Sequence, residues 1–250
     1  MSEHVIYSKD GAIATLRFNR AEKKNAITAA MYEALAAGLS DAAGSPDVRV
    51  LAILGGEVFT AGNDIADFVT AATMAGGNVE DLAVVAFLRQ LAAFPKPIVA
   101  GVKGVAIGIG TTLLMHCDAV VAGHSARFAL PFTKLALVPE AASSVLFPLI
   151  AGRMRASWYL LSGEQFDAAT AYELGLLTKT CDDADVDGAV ALMCGALAQL
   201  PPHALVTTKR LLKAPFAHLV DAAFAAEFEA FGAALRSSEA AEAFMAFMRR

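Results

Sequence analysis

Only three cysteines, Cys117, Cys181 and Cys194, occur in 250 residues. An odd number without C-x-x-C spacing indicates neither a disulfide framework nor a zinc site, so all three read as small core residues. Charge is also sparse: Asp, Glu, Lys and Arg make up 18% of the chain, and the formal net charge is −5. That balance offers no basic field for a nucleic-acid backbone, and the acids are scattered rather than massed into a tail. Lys23-Lys24, Arg153 with Arg155, Lys209-Arg210 and Arg249-Arg250 are local positive points able to meet a small anion. The longest uncharged run, Gly188 to Thr208, is interrupted by Pro201-Pro202, so no membrane span is read. The first residues lack a basic region followed by an apolar one, so no signal peptide is read and a cytoplasmic location is expected, with no membrane or nucleic-acid partner.

What is present suits an ordered globular protein: 56% of residues are hydrophobic, with Gly 19 and Pro 9. The length allows one large domain or a main domain with a helical appendage. "VIYSKDGAIATLRFN" predicts a hairpin turning at Lys9-Asp10-Gly11, and "NAITAAMYEALAAGLSDAAGSPD" a helix starting near Thr28. "VRVLAILGG" and "KPIVAGVKG" read as buried strands, with the helix "VEDLAVVAFLRQLAAF" between them; "IGTTLLMHCDAVVAG" reads as a short helix running into a strand. From Ala141 onward the pattern is almost wholly helical. The alternation predicts an α/β body over residues 1–195 and a C-terminal helical region over 196–250. The aromatic surface of Phe224, Phe228, Phe231, Phe244 and Phe247 exceeds what a detached helix pair could cover, which predicts packing between subunits.

Two stretches place glycines between a buried strand and a helix start: "GVKGVAIGIGTT" and "EVFTAGNDIADF". The first is no dinucleotide loop, because Leu113 stands where a third glycine belongs and no acid follows at ribose distance. Asp64 is placed to cap the helix after the second. Taken together, two such turns point to backbone N–H groups converging on one oxygen, the geometry of an oxyanion hole.

The ordered set "NRAEKKNAIT", "EVFTAGNDIADF", "KPIVAGVKGVAIGIGTTLLMHCDAVVAG", "ARFALPFTKLALVPE" and "TTKRLL" resembles the enoyl-CoA hydratase/isomerase, or crotonase, family over essentially the whole chain. The resemblance implies a spiral of β-β-α turns, a C-terminal helical region that builds a homotrimer or dimer of trimers, and an acyl-CoA thioester substrate. Coenzyme A would arrive with the substrate; no separate cofactor or metal is implied. The two oxyanion-hole N–H groups would belong to Asn63 and Ile109. By the same resemblance, Ala61 would hold the adenine amino group through its carbonyl, and Lys23 and Lys24 would pass the CoA phosphates. Phe247 and Arg250 would meet a neighbouring subunit's CoA.

The departures carry as much information. The family's hydratases have carboxylates where this chain has Thr112 and Phe132, and hydration needs both a base for the water and an acid for C2. Glu140, in "PFTKLALVPEAASS", falls where the family's isomerases place an acid; the segment is similar to that of peroxisomal-type Δ3,Δ2-enoyl-CoA isomerases. Taken alone, Glu140 after Pro139 also fits a helix first turn, where an acid suits the dipole. The resemblance favours catalysis, with Leu135, Leu137 and Val138 as an apolar surround that raises the carboxyl's pKa. The expected reaction moves a double bond from the 3 to the 2 position of an enoyl thioester. The alternatives are another thioester reaction, hydrolysis or decarboxylation, or a CoA-binding trimer without catalysis. His116 reads as a helix-end or surface residue, Asp118 as a turn residue and Trp158 as core or acyl-pocket lining. The loop from Val69 to Glu80, with Gly76-Gly77 in it, and the helix after it are expected to line the acyl pocket.

Overall fold

The computed structural model describes residues 2–74 and 79–248. Arg250 and the Gly76-Gly77 loop tip therefore lie outside the described residues, while Val69 to Met74, expected as loop, continue the helix that begins at Ile65. The chain opens with the expected hairpin, β1 (Val5–Asp10) antiparallel to β2 (Ile13–Phe18). α1 (Ala29–Gly44) starts where the sequence predicts, with Thr28 accepting the Met31 N–H. β3 (Val50–Leu54), α2 (Ile65–Met74), α3 (Ala83–Ala93) and β4 (Ile98–Val102) follow. Every residue of β3 and β4 is buried, as parallel strands covered on both faces require.

The chain then runs through β5 (Val105–Ile107), α4 (Ile109–Thr112), β6 (Ala119–Gly123) and β7 (Arg127–Ala129). With β8 (Phe166–Asp167) and β9 (Lys179–Cys181) further along, six strands form one sheet in the order β1-β2-β3-β4-β6-β9, parallel from β2 onward, and β5-β7-β8 form a second. The consecutive pairs β4–β5 and β6–β7 each give one strand to each sheet before a helix, so the α/β chain advances in β-β-α turns.

The last part contains α5 (Ser143–Ala151), α6 (Arg153–Ser162), β8 (Phe166–Asp167), α7 (Ala168–Glu173) and β9 (Lys179–Cys181). It ends with α8 (Val186–Ala198), α9 (Pro202–Lys213), α10 (Ala217–Leu235) and α11 (Ser238–Met248). The wholly helical reading of this half misses β8 and β9, whose two and three residues are too few to show a period of two. The border expected after residue 195 falls inside α8, whose Val190 and Cys194 pack on Val50, Val99 and Val121 of the main sheet. Phe224, Phe228, Phe231 and Phe244 are buried within this one chain, with α10 against α5, so their cover comes from the chain's own core. Trp158 is not core: it is 59% exposed, and its indole N–H donates to Glu164. Among the described residues no single helix is long and apolar enough to cross a membrane.

Candidate active site

The two glycine turns are stitched to each other. Thr60 N–H donates to Val105 O at 2.9 Å, and Ile107 N–H to Thr60 O at 3.1 Å. A Cβ on Gly62, which sits at φ +92°, would stand 2.7 Å from Ile107 O, and one on Gly110 2.6 Å from Thr60 Cγ2. These contacts demand glycine and bring the residues preceding Asn63 and Ile109 together. Ile109 is the first residue of α4, where an N–H has no intrahelical acceptor. Among the described residues neither its N–H nor that of Asn63 is paired with an acceptor.

A third segment locks this pair in place. Ile27 N–H donates to Gly62 O at 2.8 Å, Asp64 N–H to Ile27 O at 2.9 Å and Ala61 N–H to Lys24 O at 2.9 Å. Lys23 and Lys24 are exposed beside it. Asn25, in the left-handed region at φ 55°, is buried and donates its amide to Gly55 O and Val58 O at 2.8 and 2.6 Å. Asp64 caps α2 as predicted, accepting the Asp67 N–H at 3.3 Å, and also pairs with Arg20 at 2.8 Å. The Asn63 side chain accepts the Tyr32 hydroxyl. Burial, and then the nearby Glu140 and Asp67 carboxyls, push the Tyr32 phenol well above its ordinary pKa. A small cavity of about 20 Å³ adjoins Tyr32, lined by Ile27, Phe68, Leu82 and Val84.

Glu140 is buried, and its Oε1 accepts the Thr112 hydroxyl at 2.5 Å. Four residues of α4 thus join the Ile109 N–H at one end to Glu140 at the other. Among the described residues Oε2 is buried without a partner. Burial pushes the Glu140 carboxyl up to about 8, with the Glu227 charge adding to the rise and the Thr112 hydrogen bond opposing it. Phe132 is buried among apolar residues, and its carbonyl takes the Leu135 and Leu137 N–H groups at 2.9 and 2.8 Å. The carboxylate at the start of α5 is not Glu140, contrary to the first-turn reading. Glu140 lies three residues upstream, whereas Glu227 of α10 accepts the Ala142 and Ser144 N–H groups at 2.7 and 2.9 Å.

Between Glu140 and α5, Ala141 and Ala142 both adopt left-handed backbone, with φ 60° and 55°. Ser143 donates its hydroxyl to Glu140 O at 2.5 Å, and His116 Nε2 lies 2.8 Å from Ala141 O. A carbonyl only accepts, so Nε2 carries the proton. Burial lowers the His116 pKa to about 4, helped by Lys213 and Lys209 and opposed by the bond to Ala141. The sequence reading places His116 correctly at the end of a helical turn but not its burial, and it omits Asn25, Tyr32 and Glu227. Glu227 shares a helical face with Phe224, Phe228 and Phe231, a spacing that could have flagged it. Phe247 falls within α11, and its side chain lies outside the described residues.

The model of the family described as enoyl-CoA hydratase/isomerase matches residues 8–250. Enoyl-CoA delta isomerase 2 of Rattus norvegicus is 33% identical over 255 residues, covering 100% of this chain and 64% of its own length. The chain thus spans under two thirds of that relative. 1,2-Epoxyphenylacetyl-CoA isomerase of Escherichia coli K12 is 31% identical over 257 residues, covering 100% of this chain and 97% of its own. The structure of Pseudomonas aeruginosa OdaA superposes with a TM-score of 0.94 at 40% identity, covering 100% of each chain. Proteins named as hydratases match as well.

Proposed function

Since the chain belongs to the enoyl-CoA hydratase/isomerase family, we propose that it isomerises 3-enoyl-CoA to 2-enoyl-CoA with Glu140 as the base. The observation that carries this reading is a buried carboxyl tethered through one oxygen by Thr112 while the other is unpartnered among the described residues. Neither hydratase carboxylate position holds an acid. Ionised Oε2 takes a proton from C2, the electrons move into a dienolate, and the same carboxyl returns the proton at C4. No second acid and no water is consumed.

The negative charge develops on the thioester oxygen, where the Asn63 and Ile109 N–H groups would donate. Losing one such donor typically costs about 3 to 4 kcal/mol of transition-state stabilisation. Lys23, Lys24 and the Ala61 carbonyl would hold the CoA head, with Phe247 and Arg250 reaching a neighbour's CoA. Rat enoyl-CoA delta isomerase 2, by its name, catalyses a reaction of this kind. A homotrimer or dimer of trimers would cover exposed Met154, Leu161 and Leu192; a monomeric sedimentation profile would count against it.

Glu140→Gln keeps the shape and the Thr112 contact but removes the base. Assayed side by side on 3-enoyl-CoA and 2-enoyl-CoA, the native protein is expected to turn over the first and hydrate the second poorly. The variant should lose isomerisation by at least about 10³-fold while keeping CoA affinity. Near-normal turnover by the variant ends the assignment.

A further inference from the structure

The turn that carries Glu140 is held from a helix 85 residues further along the chain. Ala141 and Ala142 occupy left-handed backbone, which alanine adopts only where its surroundings impose it. On one side His116 holds the Ala141 carbonyl, itself stacked at 6.1 Å on Phe224 of α10. On the other side Glu227, one helical turn beyond Phe224, commits both carboxylate oxygens to the Ala142 and Ser144 N–H groups. A carboxylate that served only to cap α5 could have come from a residue just before that helix, as Asp167 does for α7 by accepting the Thr170 N–H. Here it is buried, crosses from another element and stands near enough to Glu140 for its charge to bear on it.

We propose that Glu227 is a positioning residue for the reaction: it holds the Ala141–Ala142 turn so that the Glu140 carboxyl faces the substrate, and its negative charge makes that carboxyl a stronger base. This rests on Glu140 being the base. Burial raises the Glu227 carboxyl too, opposed by the hydrogen bonds from Ser144 and Ala142 that favour its ionised form. Thr112 of α4 and Tyr32 of α1 face Glu140, while His116 stays neutral near Lys209 and Lys213 of α9. On α10 beyond Glu227, Arg89 of α3 lies over the Phe228 ring at 5.7 Å and pairs with Glu80.

The test is the pH profile of kcat and KM for the full-length protein and its Glu227→Gln and Glu227→Asp variants, with Glu140→Gln and Phe231→Leu as controls. Glutamine keeps the size, deletes the charge and loses one of the two hydrogen bonds. Its acid limb should move to lower pH by at least about half a unit, with a plateau kcat roughly tenfold lower and KM changed less than about threefold. Aspartate keeps the charge but withdraws its oxygens, so the limb stays at the native position while the plateau falls. Phe231→Leu loosens α10 without touching the charge and should leave the limb alone. A Glu227→Gln limb that coincides with the native one, or that moves equally in Phe231→Leu, overturns the proposal. If Glu227→Gln does not fold, the aspartate profile decides, and a plateau within twofold of native overturns it. If Glu140→Gln retains turnover, the isomerase reading itself fails; if it is inactive while the Glu227 profiles are unmoved, only the positioning role fails.

Discussion

A carboxyl that titrates near 8 in the folded chain and near 4.5 when unfolded binds more protons in the native state between those values. Stability contributed by protonated Glu140 is therefore fully present below about pH 4.5 and lost as pH rises through 8. His116 works the other way: its depressed value of about 4 against an ordinary 6.5 gives a contribution present above 6.5 and lost as pH falls through 4. Glu140→Gln removes only the first. The variant should gain on the native protein from pH 5 to pH 8.5, by roughly 2 to 4 kcal/mol at most. Urea melts across that range give the difference directly, and parallel curves for the two proteins would contradict a buried, proton-holding Glu140. The acid itself is legible in the sequence because it falls where the family's isomerases place one, while Thr112 and Phe132 occupy both hydratase positions. For Glu227 the only signal is its shared helical face with Phe224, Phe228 and Phe231, because composition does not separate it from exposed Glu229. Its burial follows from which face α10 turns to α5, a tertiary fact.

Among the elements, the hairpin, α1 with its Thr28 cap and the buried β3 and β4 were legible because each has a local signature: a turn, a cap or an unbroken apolar run. β8 and β9 had none, being short edge pieces formed by partners distant in sequence. The pairing of the two glycine turns was inferable as a hypothesis, and the Thr60–Ala106 bridge supplies its physical reason. Substitutions can separate a turn that needs glycine from a helix that merely contains it. In Gly62→Ala the new Cβ meets Ile107 O at 2.7 Å at a φ of +92°, so the backbone bearing the Asn63 N–H must shift. Stability is expected to fall by about 1 to 3 kcal/mol, and kcat by a further ~10-fold or more. Gly188, exposed in the first turn of α8 with nothing within 4 Å of an added methyl, should show the opposite sign. There Gly188→Ala should add about 0.5 to 1 kcal/mol and leave turnover alone. Thermal melts and steady-state rates for the pair check both; equal effects would mean that the stitched turns are not the constraint.

At the scale of the molecule, the sequence suggests a body with a helical extension, whereas the structure shows helices that complete the body. Lys209 of α9 is buried and donates to Asp118 and to Lys96 O, both at 2.7 Å. α10 supplies Glu227 and the ring against His116, and Phe68 meets Phe231 edge to face at 6.1 Å. These contacts span about a third of the chain or more, which is why local pattern cannot reveal them. Burying each of Phe224, Phe228, Phe231 and Phe244 is worth roughly 1.5 to 3 kcal/mol. Together they approach the whole margin of about 5 to 15 kcal/mol by which a domain is stable. A fragment ending at Ala198, the close of α8, would lose all four rings, the Lys209 contacts and the Glu227 hold on the Glu140 turn. It should therefore lack a cooperative unfolding transition and near-UV dichroism, and bind no acyl-CoA. The full chain should melt in one transition that includes the C-terminal helices. Calorimetry on both proteins checks this, and a fragment that unfolds cooperatively on its own would restore the body-and-extension view.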